Sequence, residues 1–131
     1  MLGAPGDDPW AVLEWLAGLV DKSLVLVEPT EPPRYRLLES TRAFALEALR
    51  EAGEAAEVQQ RHAEAVCALF EESLALAWTL PSQQRLRRYR PDLDNGRAAL
   101  EATQHLHPAL HARLAAALAW LFGAKIGRAH V

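Results

Sequence analysis

The feature that most constrains the fold is a change of hydrophobic period between residues 21 and 39. On either side, apolar residues recur at helical spacing. Inside it they fall in two short stretches, Leu24-Val25-Leu26-Val27 and Arg34-Tyr35-Arg36-Leu37. The first is apolar and β-branched and the second alternates charged with apolar, and both patterns suit strands. Between them Pro29-Thr30-Glu31-Pro32-Pro33 lacks the N–H donors to continue a ladder and reads as a loop. A two-stranded hairpin with a rigid tip is expected. A lone hairpin is marginal in water, so it must lie on neighbouring helices. Leu24, Leu26, Tyr35 and Leu37 are expected to hold it to Leu16, Leu19 and Phe44.

The flanking segments read as helices. The first runs from Pro9 to Asp21, with Asp8 as N-cap and Pro9 at the position where a missing N–H costs nothing. Val12, Leu13, Leu16, Leu19 and Val20 share one face. After the hairpin, from about Glu39, a stripe of Thr41, Phe44, Ala45, Ala48 and Leu49 ends at Gly53, expected as a left-handed cap. A longer helix from about Glu54 to Trp78 has Val58, His62, Ala65, Val66, Leu69, Phe70, Leu74 and Ala77 along its apolar side, with His62 expected at the boundary of the stripe. Ser82 is expected to cap a helix through Leu86 and Tyr89. Pro91 interrupts that helix, and Leu93 to Thr103 resumes it. Pro108 to Phe122 is rich in Ala and Leu around most of its circumference. It is expected to need cover from elements outside this chain, so that the isolated chain self-associates. The fold class is therefore mostly α: a truncated winged helix over 9–52 (helix, two-stranded hairpin, helix), then antiparallel helical repeats over 54–124. Residues 1–6 read as a loop. Residues 125–131 are expected to be a non-native tail, since Ile126 to Val131 match the translation of a common sequencing-library adapter.

Composition narrows the classes. Half of the 131 residues are hydrophobic and about a quarter charged, an ordinary globular balance. No apolar run is long enough to span a bilayer, and Asp7 and Asp8 stand where a secretion signal would need basic and apolar residues. The single Cys67 excludes an internal disulfide and a cysteine-based zinc site, and a cytoplasmic setting is the expectation. A net charge of −3 gives no overall pull toward nucleic acid or anionic lipid.

Candidate sites are few. Arg85, Arg87, Arg88 and Arg90 form the one dense charge cluster. They suit either a phosphate or acidic-partner contact, or a solvated face balanced by Asp92 and Asp94. His105, His107 and His111, with Glu101 nearby, fall short of a full zinc ligand set and read as a polar loop and helix start. Cys67 lies mid-helix between Val66 and Ala68 and reads as a small buried hydrophobe rather than a nucleophile. Glu71 and Glu72 are adjacent on a helix and point apart, which suits a solvated edge better than catalysis. Trp10, Trp15, Trp78 and Trp120 are scattered and read as packing. No catalytic residue, cofactor or metal site is expected.

Leu16-Ala17-Gly18-Leu19-Val20-Asp21-Lys22-Ser23-Leu24-Val25, followed by Arg34-Tyr35-Arg36-Leu37-Leu38-Glu39-Ser40-Thr41-Arg42, resembles a known family. It is similar to the winged-helix segment after the nucleotide-binding core of NB-ARC-type (STAND) signal-transduction ATPases, which include bacterial regulators of the LuxR and antibiotic-regulatory types. Gly53-Glu54, Arg61-His62-Ala63, Asp94-Asn95 and Arg97-Ala98-Ala99-Leu100 resemble the start of the tetratricopeptide-like array that follows. Gly96 departs from that pattern, which usually has Leu there, and lowers helix propensity by about 1 kcal/mol. The resemblance implies an ATP-driven switch whose winged helix shifts with nucleotide state. This chain has no GxxxxGK[ST], so the nucleotide chemistry is expected upstream. The expected role is a non-catalytic relay. Its expected partners are an upstream nucleotide-binding domain and downstream helical repeats, with neither direct DNA binding nor membrane contact. A DNA-binding winged helix and a free-standing interaction module are the alternatives.

Overall fold

The computed structural model describes residues 8–129, without side chains for 124–129. The loop expected over residues 1–6 and the side chains of the terminal tail lie outside the described residues. The elements are α1 (Pro9–Asp21), β1 (Val25–Glu28), β2 (Arg34–Leu37), α2 (Glu39–Glu51), α3 (Ala55–Ala75), α4 (Ser82–Tyr89), α5 (Leu93–Thr103) and α6 (Pro108–Ala129). Helix, hairpin, helix and then further helices is the expected order. The chain divides into two compact units, one ending at Ala55 and the other beginning at Ala56.

In the first unit, α1 starts as its sequence dictates. Asp8 Oδ1 accepts from the Trp10 N–H at 3.1 Å, and Pro9 occupies the first helical position. The helix ends in a Schellman turn. The Leu24 N–H donates to Leu19 O and the Ser23 N–H to Val20 O, with Ser23 held at φ 60°. A serine there bears the strain that glycine would avoid. The α2 end uses the same device with Gly53 at φ 74°, the Glu54 N–H reaching Leu49 O.

The Ser23 turn sets the phase of the hairpin. The antiparallel ladder starts at Val25, paired with Leu37, and continues with Leu26 to Arg36, Val27 to Tyr35 and Glu28 to Arg34. Side chains alternate, so Val25 and Val27 share a face with Tyr35 and Leu37. Val25, not Leu24 or Leu26, is therefore the residue that α1 and the hairpin cover, at 5% exposure. Phe44 does not hold the hairpin either, being 77% exposed. Leu24 falls outside the ladder because its N–H closes the helix cap, a role that its apolar side chain does not announce.

The second unit has a continuous core. Ala63, Val66, Cys67 and Phe70 from α3 meet Leu86, Tyr89, Leu93 and Ala99 from α4 and α5, with Leu114, Ala117, Leu118 and Leu121 from α6. The α3 stripe is rotated from the expected one. Ala63, Cys67 and Ser73 are buried, while Ala65, Leu74 and Ala77 are exposed. A 3₁₀ turn over Leu76–Trp78 ends α3, and another over Arg90–Asp92 carries Pro91 between α4 and α5. Ser82 begins α4 without a side-chain capping bond; the extended Pro81 holds the cap position.

The α6 expectation is corrected. Its large apolar residues recur at 114, 118 and 121 and are buried in this unit, with Leu110, Trp120 and Phe122 packed beside them. What faces solvent is alanine, at 112, 115, 116 and 119. Counting alanine as equal to leucine made the helix look apolar all round. Gly96 also finds its reason here. A Cβ at that position would lie 2.9 Å from Leu118 Cδ2, so the missing side chain lets α5 approach α6.

Candidate functional site

The four arginines of the candidate site separate into two pairs. Arg85 is half-buried beside the core residues Leu86 and Tyr89 of α4, whereas Arg88 is exposed. The Arg85 guanidinium lies 4.1 Å over the Trp120 ring, and its Nη1 donates to Ser73 O at 3.3 Å. Its Nε is buried without a hydrogen-bond partner in the structure. Stacking on the indole face offsets part of that cost. Arg88 Nη2 donates to Glu72 Oε1 at 3.2 Å, and the Tyr89 hydroxyl donates to the same oxygen. Arg85 thus braces α4 against α3 and α6, while Arg88 is engaged at the surface with Glu72 of α3.

Arg87 and Arg90 are exposed and make no ion pair among the described residues. Asp94 does not balance them; it lies 3.5 Å from Arg97, and Asp92 accepts from Asn95. Of the expected cluster, Arg88 is exposed but paired, and Arg87 and Arg90, three residues apart, are exposed without an ion pair among the described residues.

Ser73 is the residue that sequence reading missed. It is fully buried, donates to Phe70 O, and accepts from Trp120 Nε1 at 2.9 Å. Its position on the α3 face, three residues after Phe70, was the available signal. Tyr89 completes the group, its ring 5.9 Å from Phe70 and edge-on to Trp120 at 6.3 Å. Burial raises the Tyr89 hydroxyl pKa, and Glu72 adds to the rise. Trp120 thus packs as expected. The other tryptophans do not: Trp10, Trp15 and Trp78 are exposed, Trp78 at 91%.

The acidic and thiol groups are structural. Arg113 grips Glu71 with Nε and Nη2, at 3.2 and 2.6 Å, tying α6 to α3. That bond holds the Glu71 carboxyl below the usual range. Cys67 is buried, and desolvation pushes its thiol pKa up, the opposite of an activated nucleophile.

Of the three histidines, His111 is the one with side-chain contacts to the neighbouring helix. His111 Nδ1 lies 3.0 Å from Leu100 O and 3.2 Å from Thr103 Oγ1. A carbonyl accepts only, so Nδ1 carries the proton and the ring clips α6 to the end of α5. Thr103, fully engaged through Ala99 O, is a second buried polar residue that the sequence did not announce. His111 also lines a shallow groove of about 480 Å³ with Arg97, Leu100, Glu101 and Gln104. Among the described residues no group of three or more His, Cys, Asp or Glu is placed to hold a metal ion. Nor is any helix of the described residues long and apolar enough to cross a membrane.

On the hairpin, Arg36 sits 3.7 Å from Glu28, so that arginine is partly neutralised within the sheet. No protein-family model matches the chain, and no solved structure matches it. Among curated proteins it is 38% identical, over 132 aligned positions, to a "Putative HTH-type transcriptional regulator" of Mycobacterium bovis, and equally to two proteins so named from strains of Mycobacterium tuberculosis. The match takes in 95% of this chain and 14% of each relative, so the chain spans about one-seventh of the length of the curated relatives it matches.

Proposed function

We propose that this chain is a non-catalytic relay segment of an ATP-dependent transcriptional regulator. Its first unit is a partial winged helix coupled to an upstream nucleotide-binding domain, and its second begins a helical sensor array. The observation that carries the reading is the contrast in burial. The helices after Ala55 close their own core, while among the described residues of the first unit only Val25 is buried, and Trp10, Leu13, Trp15, Tyr35 and Phe44 are exposed. A segment that shows this much apolar surface suits an interface with another domain. Relatives several times longer and named as regulators are consistent with that. The mechanism is a rigid-body shift of the first unit against its neighbour, transmitted to the helices that follow. Arg87 and Arg90 are the cations left for an acidic partner.

The relatives' HTH-type name favours a second reading, that this segment contacts DNA directly. Charge argues against it. Residues 1–33 hold Asp7, Asp8, Glu14, Asp21, Glu28 and Glu31 against Lys22, a net of −5, where a duplex reader brings roughly 6 to 10 cationic phosphate contacts. Two titrations separate the readings: Mg-ATP by calorimetry, and mixed-sequence duplex by anisotropy at low salt. The relay reading expects neither ligand to bind. Micromolar ATP binding overturns it, and submicromolar duplex binding that weakens steeply with salt replaces it with the second reading.

A further inference from the structure

We propose that the exposed apolar surface of α1 docks against a protein surface that is itself apolar and bordered by Lys or Arg. This rests on the relay reading and specifies the chemistry of its partner. At 100° per residue, the apolar side chains of α1 fill a continuous arc of about 220°. The middle of the arc, Val12, Leu16 and Val20, is half-buried within the unit. Both flanks are exposed: Trp15 and Leu19 on one side, Leu13 and Trp10 on the other. No residue of α1 is buried. A helix apolar over so much of its surface is built to be covered on more than the one side the hairpin reaches.

Charge selects the occupant. Glu14 and Asp21 lie along the same line of α1 as Trp10, at the edge of its exposed flank, and neither is paired among the described residues. Asp8 stands at the start of the helix and Lys22 at its end, leaving the helix surface acidic. A second copy would set acid against acid, and an anionic membrane would repel the same edge. A partner with cations beside its apolar patch satisfies both features and gains orientation from the charges.

The test uses the whole chain and two labelled helical peptides with the same leucine face, one bordered by lysines and the other by glutamates. Anisotropy is expected to show the lysine-bordered peptide binding about tenfold tighter, with the gap closing at high salt. Glu14→Gln with Asp21→Asn should shrink that preference, while Leu13→Ser, at an exposed position, should weaken both peptides. Equal binding of the two peptides, or a preference untouched by Glu14→Gln with Asp21→Asn, overturns the proposal. So does light scattering that shows the chain pairing with itself in a manner abolished by Leu13→Ser. Any of these results leaves the relay reading standing, because ATP and duplex titrations test that separately.

Discussion

The two units of this chain solve the same problem in different ways. Residues 56–123 use four helices to bury Phe70, Tyr89, Leu114, Leu118 and Leu121 almost completely, and they tie the layers with Arg113–Glu71 and Ser73–Trp120. Residues 8–55 have comparable apolar content but only Val25 beneath them. The difference lies in element geometry. Long helices spaced to meet each other supply partners for most large side chains, Trp78 and Leu106 excepted, whereas two shorter helices and a four-residue ladder present more apolar arc than they can cover. Apolar content therefore does not report burial; the supply of facing surface does.

Substitutions sharpen that contrast. Phe70→Ala should cost about 3–5 kcal/mol in chemical denaturation, the range for emptying a full aromatic site in a packed core. A loss below about 1 kcal/mol would mean that the second unit is loosely packed. Gly96→Ala should be net destabilising by about 1 kcal/mol, because overpacking against Leu118 outweighs the gain in helix propensity. In a Leu118→Ala background the same change should become neutral or stabilising, and additivity of the two changes would refute the close approach.

The pH response of the second unit follows from Cys67. Burial raises its thiol pKa above the unfolded value, so the contribution is fully present below about pH 8.5 and is lost as pH rises past it. Stability measured between about pH 8 and 9.5 should fall in the native chain and fall less in Cys67→Ala. Phe44→Ala in the first unit should have the smallest effect, within about 0.5 kcal/mol, since the ring is already in solvent. A loss comparable to Phe70→Ala would show that the first unit has a hidden core.

Much of the fold was legible because strong local signals agreed. Asp8-Pro9, Gly53 and Pro91 mark boundaries by backbone chemistry that tertiary context rarely overrides, and the proline-rich tip separates two strands of opposite character. Registers were less legible. Ser23 takes the left-handed conformation that sequence assigns to glycine, and this shifted the hairpin by one residue and exchanged Val25 for its neighbours. The α3 stripe was misplaced because Ala, Cys and Ser fill tight places as well as leucine fills wide ones. The arginine cluster was visible as charge. Nothing in the string shows that Trp120, more than thirty positions away, lies beneath Arg85.

The central claim is that the second unit is self-sufficient and the first is not. Residue-resolved amide hydrogen exchange on the whole chain tests it most directly. Protection in α3 and α6 should approach the global unfolding free energy, while α1 and the hairpin exchange orders of magnitude faster, through local opening. Equal protection in both units, with a single cooperative opening, would contradict it.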